Sequence, residues 1–141
     1  MKPEALLDSN IFIFAFEIPE SNSALIIDSL NRDEFEALIT ESTFKEVYRY
    51  FRKHYRKSAA DAVRFYMFSA CRIVFTHELK PFTAAYRGSI NEKDLELVVA
   101  VKRLGIRNLV SHDSDFEGLE EHKTPRKFAI HLKLEPYPTD Y

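Results

Sequence analysis

A single cysteine, Cys71, stands among the 141 residues, so no internal disulfide and no multi-cysteine zinc site can form. Its apolar surroundings mark it as a small core residue. Any metal would have to be held by oxygen or histidine. The chain also lacks an apolar run long enough to cross a bilayer. Its opening MKPEALLDSN has neither the apolar core nor the small-residue cleavage site of a signal peptide. A cytoplasmic protein away from membranes is expected. Excess positive charge is missing as well: the formal net charge of -2 argues against coating nucleic acid through bulk electrostatics, which needs many cationic contacts to phosphate. No internal repeat or low-complexity segment interrupts the chain.

Hydrophobic residues make up 45%, aromatics 13% and charged residues 30%, enough to fill a core and still solvate a surface. The length suits one domain, so the function is expected in a single core spanning residues 1–141.

Ala5-Leu6-Leu7 ends at Asp8-Ser9-Asn10, and an apolar run from Ile11 to Phe16 follows, the pattern of a short buried strand feeding a helix. A second helix starts at Ser21 or Asn22 as N-cap and passes through Ala24, Leu25, Ile27 and Leu30. A strand is expected around Phe35 to Ile39. From Ser42, Phe44, Val47, Tyr48, Phe51 and Tyr55 recur at helical spacing, and a further helix from about Ser58 to Ala70 completes a helical hairpin. Arg72 to Thr76 reads as a buried strand, and Lys80 to Gly88 as an irregular or briefly helical connection. Asn91 should cap a helix over Glu92 to Leu104 that Gly105 ends. Arg107 to Ser111 reads as a strand closing in the turn His112-Asp113-Ser114-Asp115-Phe116, and Lys127 to Leu134 as a last strand. Alternating strands and helices imply an α/β fold with a mostly parallel sheet, since parallel neighbours need crossover connections.

In such sheets ligands bind beyond the carboxyl ends of the strands. Asp8 and Asp113 each follow an expected strand and should reach that edge together, and Glu46, early in the helix after the second strand, should face it too. Asp94 begins a helix that runs back across the sheet, so a bent or offset entry is expected to be needed to bring it there. Leu97, Val98, Val101 and Leu104, at i+3, i+4, i+7 and i+10, put Asp94 on its helix's apolar face, where an acid needs a partner. The spacing fits a metal ligand and a capping-box acid with Asn91 equally well.

Four like charges within several ångströms repel by roughly 1 kcal/mol per pair in water and about 4 kcal/mol at an effective dielectric near 20, so protons or cations must occupy such a cluster. An all-oxygen site selects Mg²⁺ or Mn²⁺ over zinc. Each acid also has a structural reading. Asp8 would cap the helix at Ile11, Glu46 would pair with Arg49 or Tyr50 on a solvated face, and Asp115 would close the turn after Asp113 or support the ligands. His112 reads as a turn residue, and His54, His77, His122 and His131 show no ligand spacing.

The motifs resemble those of the PIN-domain ribonuclease family. Leu6-Leu7-Asp8-Ser9-Asn10 is similar to its first motif and Thr40-Glu41-Ser42-Thr43-Phe44-Lys45-Glu46-Val47 to its second. Asp94 with Leu97, Ala100 and Leu104-Gly105 looks like the third, and Leu109-Val110-Ser111-His112-Asp113-Ser114-Asp115-Phe116 matches the fourth. They run in the family's order from residue 6 to residue 116. The resemblance implies a three-layer α/β/α fold in which Asp8, Glu46, Asp94 and Asp113 meet. Asp8, Asp94, Asp113 and Asp115 would be metal ligands, and Asn10 and Ser111 polar support. It also implies Mg²⁺- or Mn²⁺-dependent endonuclease action on RNA, often as a homodimer. Many such proteins are VapC-like toxins held inactive by a small antitoxin. Two departures stand out: Ser111 where threonine is commoner, and a longer, more charged tail after Glu120.

Lys45, Arg49, Arg52, Lys53 and Arg56 form one helical stripe bordering Glu46, either a solvated face or a track for the RNA backbone. Phe44, Tyr48, Phe51 and Tyr55, opposite, read as core rather than stacking platforms. Tyr86 and Arg87 are further candidates for substrate contact. A toxin ribonuclease is the leading reading. A catalytically idle PIN-like module binding RNA or protein, and a non-toxin RNA-processing nuclease, are the alternatives. A haloacid-dehalogenase-like phosphatase would want aspartate where Asn10 stands, and a toprim-like fold glycine where Val47 stands.

Overall fold

Leu6 and Leu7 are wholly buried, a pattern that suits a central parallel strand covered on both faces. The computed structural model describes residues 2–86, 88 and 92–141 and places this strand, β1 (Glu4–Leu7), at the middle of the sheet. Helices α1 (Ser9–Glu17) and α2 (Asn22–Asn31) follow, the second capped by Ser21 Oγ, which accepts from Ala24 N at 3.1 Å. Then come β2 (Glu36–Thr40), the hairpin of α3 (Glu41–His54) and α4 (Lys57–Ala70), and β3 (Cys71–Val74). A short α5 (Thr76–Leu79) and a 3₁₀ segment (Lys80–Tyr86) lead toward α6 (Glu92–Leu104). The chain finishes with β4 (Leu109–Val110), a 3₁₀ turn (Ser114–Phe116), β5 (His122–Lys123) and α7 (Pro125–His131).

All strand pairs are parallel, in the order β3-β2-β1-β4-β5. Alternation along the strands divides the core, because successive side chains leave a sheet on opposite faces. Ala5, Leu7, Ala37, Ile39 and Val110 pack with Ile11, Phe12, Phe51 and Phe128 on one face. Leu6, Leu38 and Leu109 pack with Leu95, Val98, Val99 and Phe116 on the other. The result is the expected three-layer α/β/α arrangement. Wholly buried Phe51 joins α3 to the first core, a burial that contributes about 1.5–3 kcal/mol. Gly105, with φ +64°, takes the left-handed conformation that ends α6, as expected. Burial pushes the Cys71 thiol up to about 12, which keeps it unreactive. Among the described residues no helix is long and apolar enough to cross a membrane.

The chain departs from expectation at its last strand. Lys127 to Leu134 is not extended: Pro125–His131 is helix α7, and the final strand is His122–Lys123. Phe128, Ile130, Leu132 and Leu134 alternate like a strand, but Thr124 Oγ1 accepts from Lys127 N at 3.2 Å with Pro125 at the first helical position. That cap and proline start a helix. It buries Phe128 and Ala129 and leaves Ile130 52% exposed. Asn91 and its expected capping role lie outside the described residues.

Strand order reverses between β1 and β4: the chain leaves β1 toward β2 and β3, then returns to the opposite side. The crevice at such a reversal opens beyond the carboxyl ends of the strands, where Asp8 and Asp113 lie.

Candidate metal centre

Asp8 follows β1 directly and is the N-cap of α1, its Oδ1 accepting from Ser9 N at 2.7 Å. The structural reading of Asp8 therefore holds, and the cap is also what anchors the carboxylate at the crevice. Its Oδ2 accepts from Ser111 Oγ at 2.7 Å and from Asn10 Nδ2 at 3.5 Å. Ser111 Oγ in turn accepts from Asp113 N at 3.0 Å, and Asn10 Oδ1 from His112 N at 3.2 Å. Asn10 and Ser111 thus tie the end of β1 to the end of β4. Asp8 is only 8% exposed, and burial pushes its carboxyl above the ordinary value. The Ser111 and Ser9 hydrogen bonds pull it back, while the charges of Glu46 and Asp113 add to the rise.

Glu46 does not pair with Arg49 or Tyr50. Its Oε1 accepts from Ser9 Oγ at 2.6 Å, and the Tyr50 hydroxyl donates instead to Glu17. Thr40 caps α3 by accepting from Thr43 N at 3.1 Å, which starts the helix at the carboxyl edge and turns Glu46 toward Asp8.

Asp94 reaches the same place from the first turn of α6 (Glu92–Leu104). A helix that runs back against parallel strands begins at their carboxyl edge, so the first turn of α6 arrives where the acids are. Asp94 is 4% exposed, and ligand-competent oxygens of Asp94, Asp113 and Asp115 lie within 4.8 Å of one another. In the turn after β4, Asp113 Oδ1 accepts from Asp115 N at 2.9 Å. Asp8, Glu46, Asp94 and Asp113 line one cavity of about 60 Å³. That is room for an ion with a water or two, given about 30 Å³ per water in the liquid.

Glu96 lines this cavity too and was not anticipated. It sits two positions beyond Asp94, a spacing that gives no helical-face signal. The available clue was an acid inside the apolar run from Leu95 to Val101. Its buried Oε2 has no hydrogen-bond partner among the described residues. An orphaned buried carboxylate oxygen needs a proton or a cation. With the rise at Asp8 and the all-oxygen donor set, it makes the cavity suited to a hard divalent cation such as Mg²⁺ or Mn²⁺. Among the described residues no histidine joins the carboxylate cluster, and a ring nitrogen of His122, Nε2, meets the Ser111 carbonyl oxygen at 2.8 Å.

Beyond Glu46 and Glu96 the cavity adjoins a wider cleft of about 530 Å³, lined by Lys45, Arg49 and Lys80 together with Thr76 and Thr83. Lys45 pairs there with Glu41 at 3.0 Å. Arg52, Lys53 and Arg56 are exposed but do not line the cleft, and Arg56 belongs to the start of α4 rather than to α3. The structure therefore brings two of the five stripe residues beside the acids, and Lys80 joins them from the connection in which Tyr86 and Arg87, not Lys80, were the expected contacts. Arg87 lies outside the described residues. Phe51 is core, Phe44 and Tyr48 pack partly against it, and Tyr55 is exposed at 38%.

No family model and no curated protein matches this chain in sequence. Solved structures do match in shape. A toxin-antitoxin complex from Klebsiella pneumoniae aligns over 86% of this chain and 97% of its own at 18% identity and TM-score 0.68. VapBC2 from Rickettsia felis, bound to a DNA fragment from its promoter, aligns over 84% and 95% at 15% identity and TM-score 0.65. VapC20 from Mycobacterium tuberculosis, a toxin that cleaves the sarcin-ricin loop, aligns over 81% and 93% at 13% identity and TM-score 0.61. With the parallel sheet and its reversal between β1 and β4, this agreement gives the chain the VapC-like PIN-domain fold.

Proposed function

We propose that the chain is a metal-dependent endoribonuclease and the toxin of a toxin-antitoxin pair, built as one domain and working in the cytoplasm. The observation that carries this reading is the meeting of Asp8, Glu46, Asp94 and Asp113 in one cavity at the sheet's reversal point. Asp8, Asp94, Asp113 and Asp115 would hold Mg²⁺ or Mn²⁺, an ion that supplies a more acidic water and shields the charge of a phosphodiester. Asn10 and Ser111 hold Asp8 in place, and Ser9 holds both Asp8 and Glu46. Glu46, whose Oε1 accepts from Ser9, would take a proton from an attacking water. Lys45 and Arg49 would carry the RNA backbone past these groups, together with Lys80, which lines the same cleft.

The similar structures are toxins or toxin-antitoxin complexes, which supports a small antitoxin as partner. A groove of about 340 Å³ lined by Phe12, Phe16, Ile27, Phe51 and Val63 offers such a protein an apolar seat, with Phe16 half exposed. A homodimer is part of the same reading.

The test is incubation of the purified protein with structured and unstructured RNAs in Mn²⁺ or EDTA, beside Asp8→Asn. Cleavage in Mn²⁺ that is lost in EDTA and in the variant is expected. Cleavage surviving either contradicts the mechanism, and RNA binding without any cleavage points to the idle module.

A further inference from the structure

The long tail, which the sequence left without a role, brings Tyr141 against His112, the neighbour in sequence of the cavity's Asp113. Tyr141 meets Phe14 with ring centroids 5.4 Å apart and His112 at 5.7 Å, and Phe14 meets His112 at 5.4 Å with the rings near perpendicular. These rings come from α1, from the turn after β4 and from the tail. His112 is exposed, and Phe14 and Tyr141 are half-buried. His112 directly precedes Asp113, and its N–H donates to Asn10, which lines the cavity. Phe14 stands four residues, about 6 Å along the helix axis, beyond Asn10. His112 of this cluster is therefore next in sequence to a carboxylate that lines the cavity.

The tail is held there. Wholly buried Asn22 donates its backbone N–H to the Tyr141 carbonyl oxygen at 2.7 Å and accepts from Tyr137 N at 2.7 Å through Oδ1. Its Nδ2 donates to the Tyr137 and Thr139 carbonyls, and Arg126 N donates to Asp140 O at 2.9 Å. Along the sheet's carboxyl edge the cationic cleft of Lys45, Arg49 and Lys80 lies on the β2–β3 side of the acids. Of the three rings, His112 follows β4 and Phe14 belongs to α1, which follows β1.

We propose that Phe14, His112 and Tyr141 form a stacking platform for a nucleobase flanking the scissile bond, so that the substrate is a single-stranded or splayed-out RNA nucleotide. The inference rests on the ribonuclease reading and deepens it. A strand whose phosphates follow the cationic cleft must cross the acids and leave past these rings, and a flat heteroaromatic base is the group that aromatic faces recognise there. A base inside a duplex presents no free face to them. Stacking one base in this way strengthens binding by roughly tenfold.

The experiment measures binding of short fluorescent single-stranded RNAs in Mg²⁺, intact or abasic at successive positions, by a Glu46→Gln protein that does not cut. One abasic position should lower affinity about tenfold. Combined His112→Ala and Tyr141→Ala should bind intact and abasic RNA alike, at the weaker level, whereas Tyr141→Phe, which keeps the ring, should retain the preference. A flat abasic profile, no RNA binding, loss of the preference in Tyr141→Phe, or alanine variants that weaken both RNAs by the same factor overturns the platform. Cleavage by the unaltered protein is scored separately. Base-dependent binding by a protein that never cuts RNA would leave the platform standing and remove the ribonuclease reading.

Discussion

The two ends of the central sheet carry acids under opposite conditions. At the amino ends of β1 and β2, Lys2 meets Asp33 at 2.8 Å and Arg32 meets Glu34 at 3.0 Å, with Asp33 82% exposed. At the carboxyl ends Asp8 is buried, and its hydrogen-bond donors are a backbone amide, serine hydroxyls and an asparagine amide rather than lysine or arginine. Solvated ion pairs contribute little to stability and keep a surface soluble. Gathered, buried carboxylates hold electrostatic repulsion that a cation relieves. The difference teaches that one end of the same sheet is arranged for solvent and the other gathers carboxylates that could hold a metal ion.

The largest effect expected from breaking this contrast is on activity. Asp94→Asn and Asp113→Asn should each lower RNA cleavage by about a thousandfold or more, read in single-turnover assays with Mn²⁺, with the fold intact by circular dichroism. Retained cleavage in both would show that the buried acids are not the chemistry. Next in size is Ser9→Ala, which removes the hydroxyl that Glu46 accepts at 2.6 Å. We expect cleavage to fall about 10- to 100-fold, the effect typical of losing a group that orients a ligand. A change below threefold would mean that Glu46 needs no such holding.

The carboxyl edge also has a pH signature in the metal-free protein. The Asp8 carboxyl is raised above 3.8 in the fold, chiefly by burial, so the folded state binds the proton more tightly than the unfolded chain. The stability it contributes is complete below 3.8 and is lost as pH rises through the higher folded value. Chemical denaturation in EDTA should show that loss, Asp8→Asn should flatten it, and Mn²⁺ should reverse it. A slope unchanged in Asp8→Asn assigns the effect elsewhere. The smallest effect belongs to the other end of the sheet: Asp33→Asn should leave thermal unfolding and cleavage unchanged. A measurable loss of cleavage would break the contrast.

Much of this was legible in the residues, because strand ends and helix caps are local signals. Asp8 reads as a strand terminus and as a helix cap, and the structure uses it as both. The fourth motif placed Asp113 correctly, since a short buried strand followed by a polar turn has few other forms. Where reading failed, tertiary neighbours decided. The alternating apolar residues after Lys127 resembled a strand, and the outcome depended on a threonine cap and a proline upstream. A bent or offset entry was expected for Asp94, but a helix running back against the strands starts at their carboxyl edge, so the first turn of α6 carries Asp94 there. Glu96 and Lys80 carry no spacing signal, and they matter because α5, the 3₁₀ segment and α6 pack on one another and line one cleft with α3. Tyr141 became meaningful only once Asn22 was seen to hold the tail beside His112.

The most direct test of the central claim is anomalous X-ray diffraction from crystals of the protein soaked in Mn²⁺. The account predicts a manganese peak in the cavity, with carboxylate oxygens of Asp94 and Asp113 in its coordination shell, and its disappearance in Asp113→Asn. A cavity without manganese, or a peak bound only at surface acids elsewhere, would contradict it.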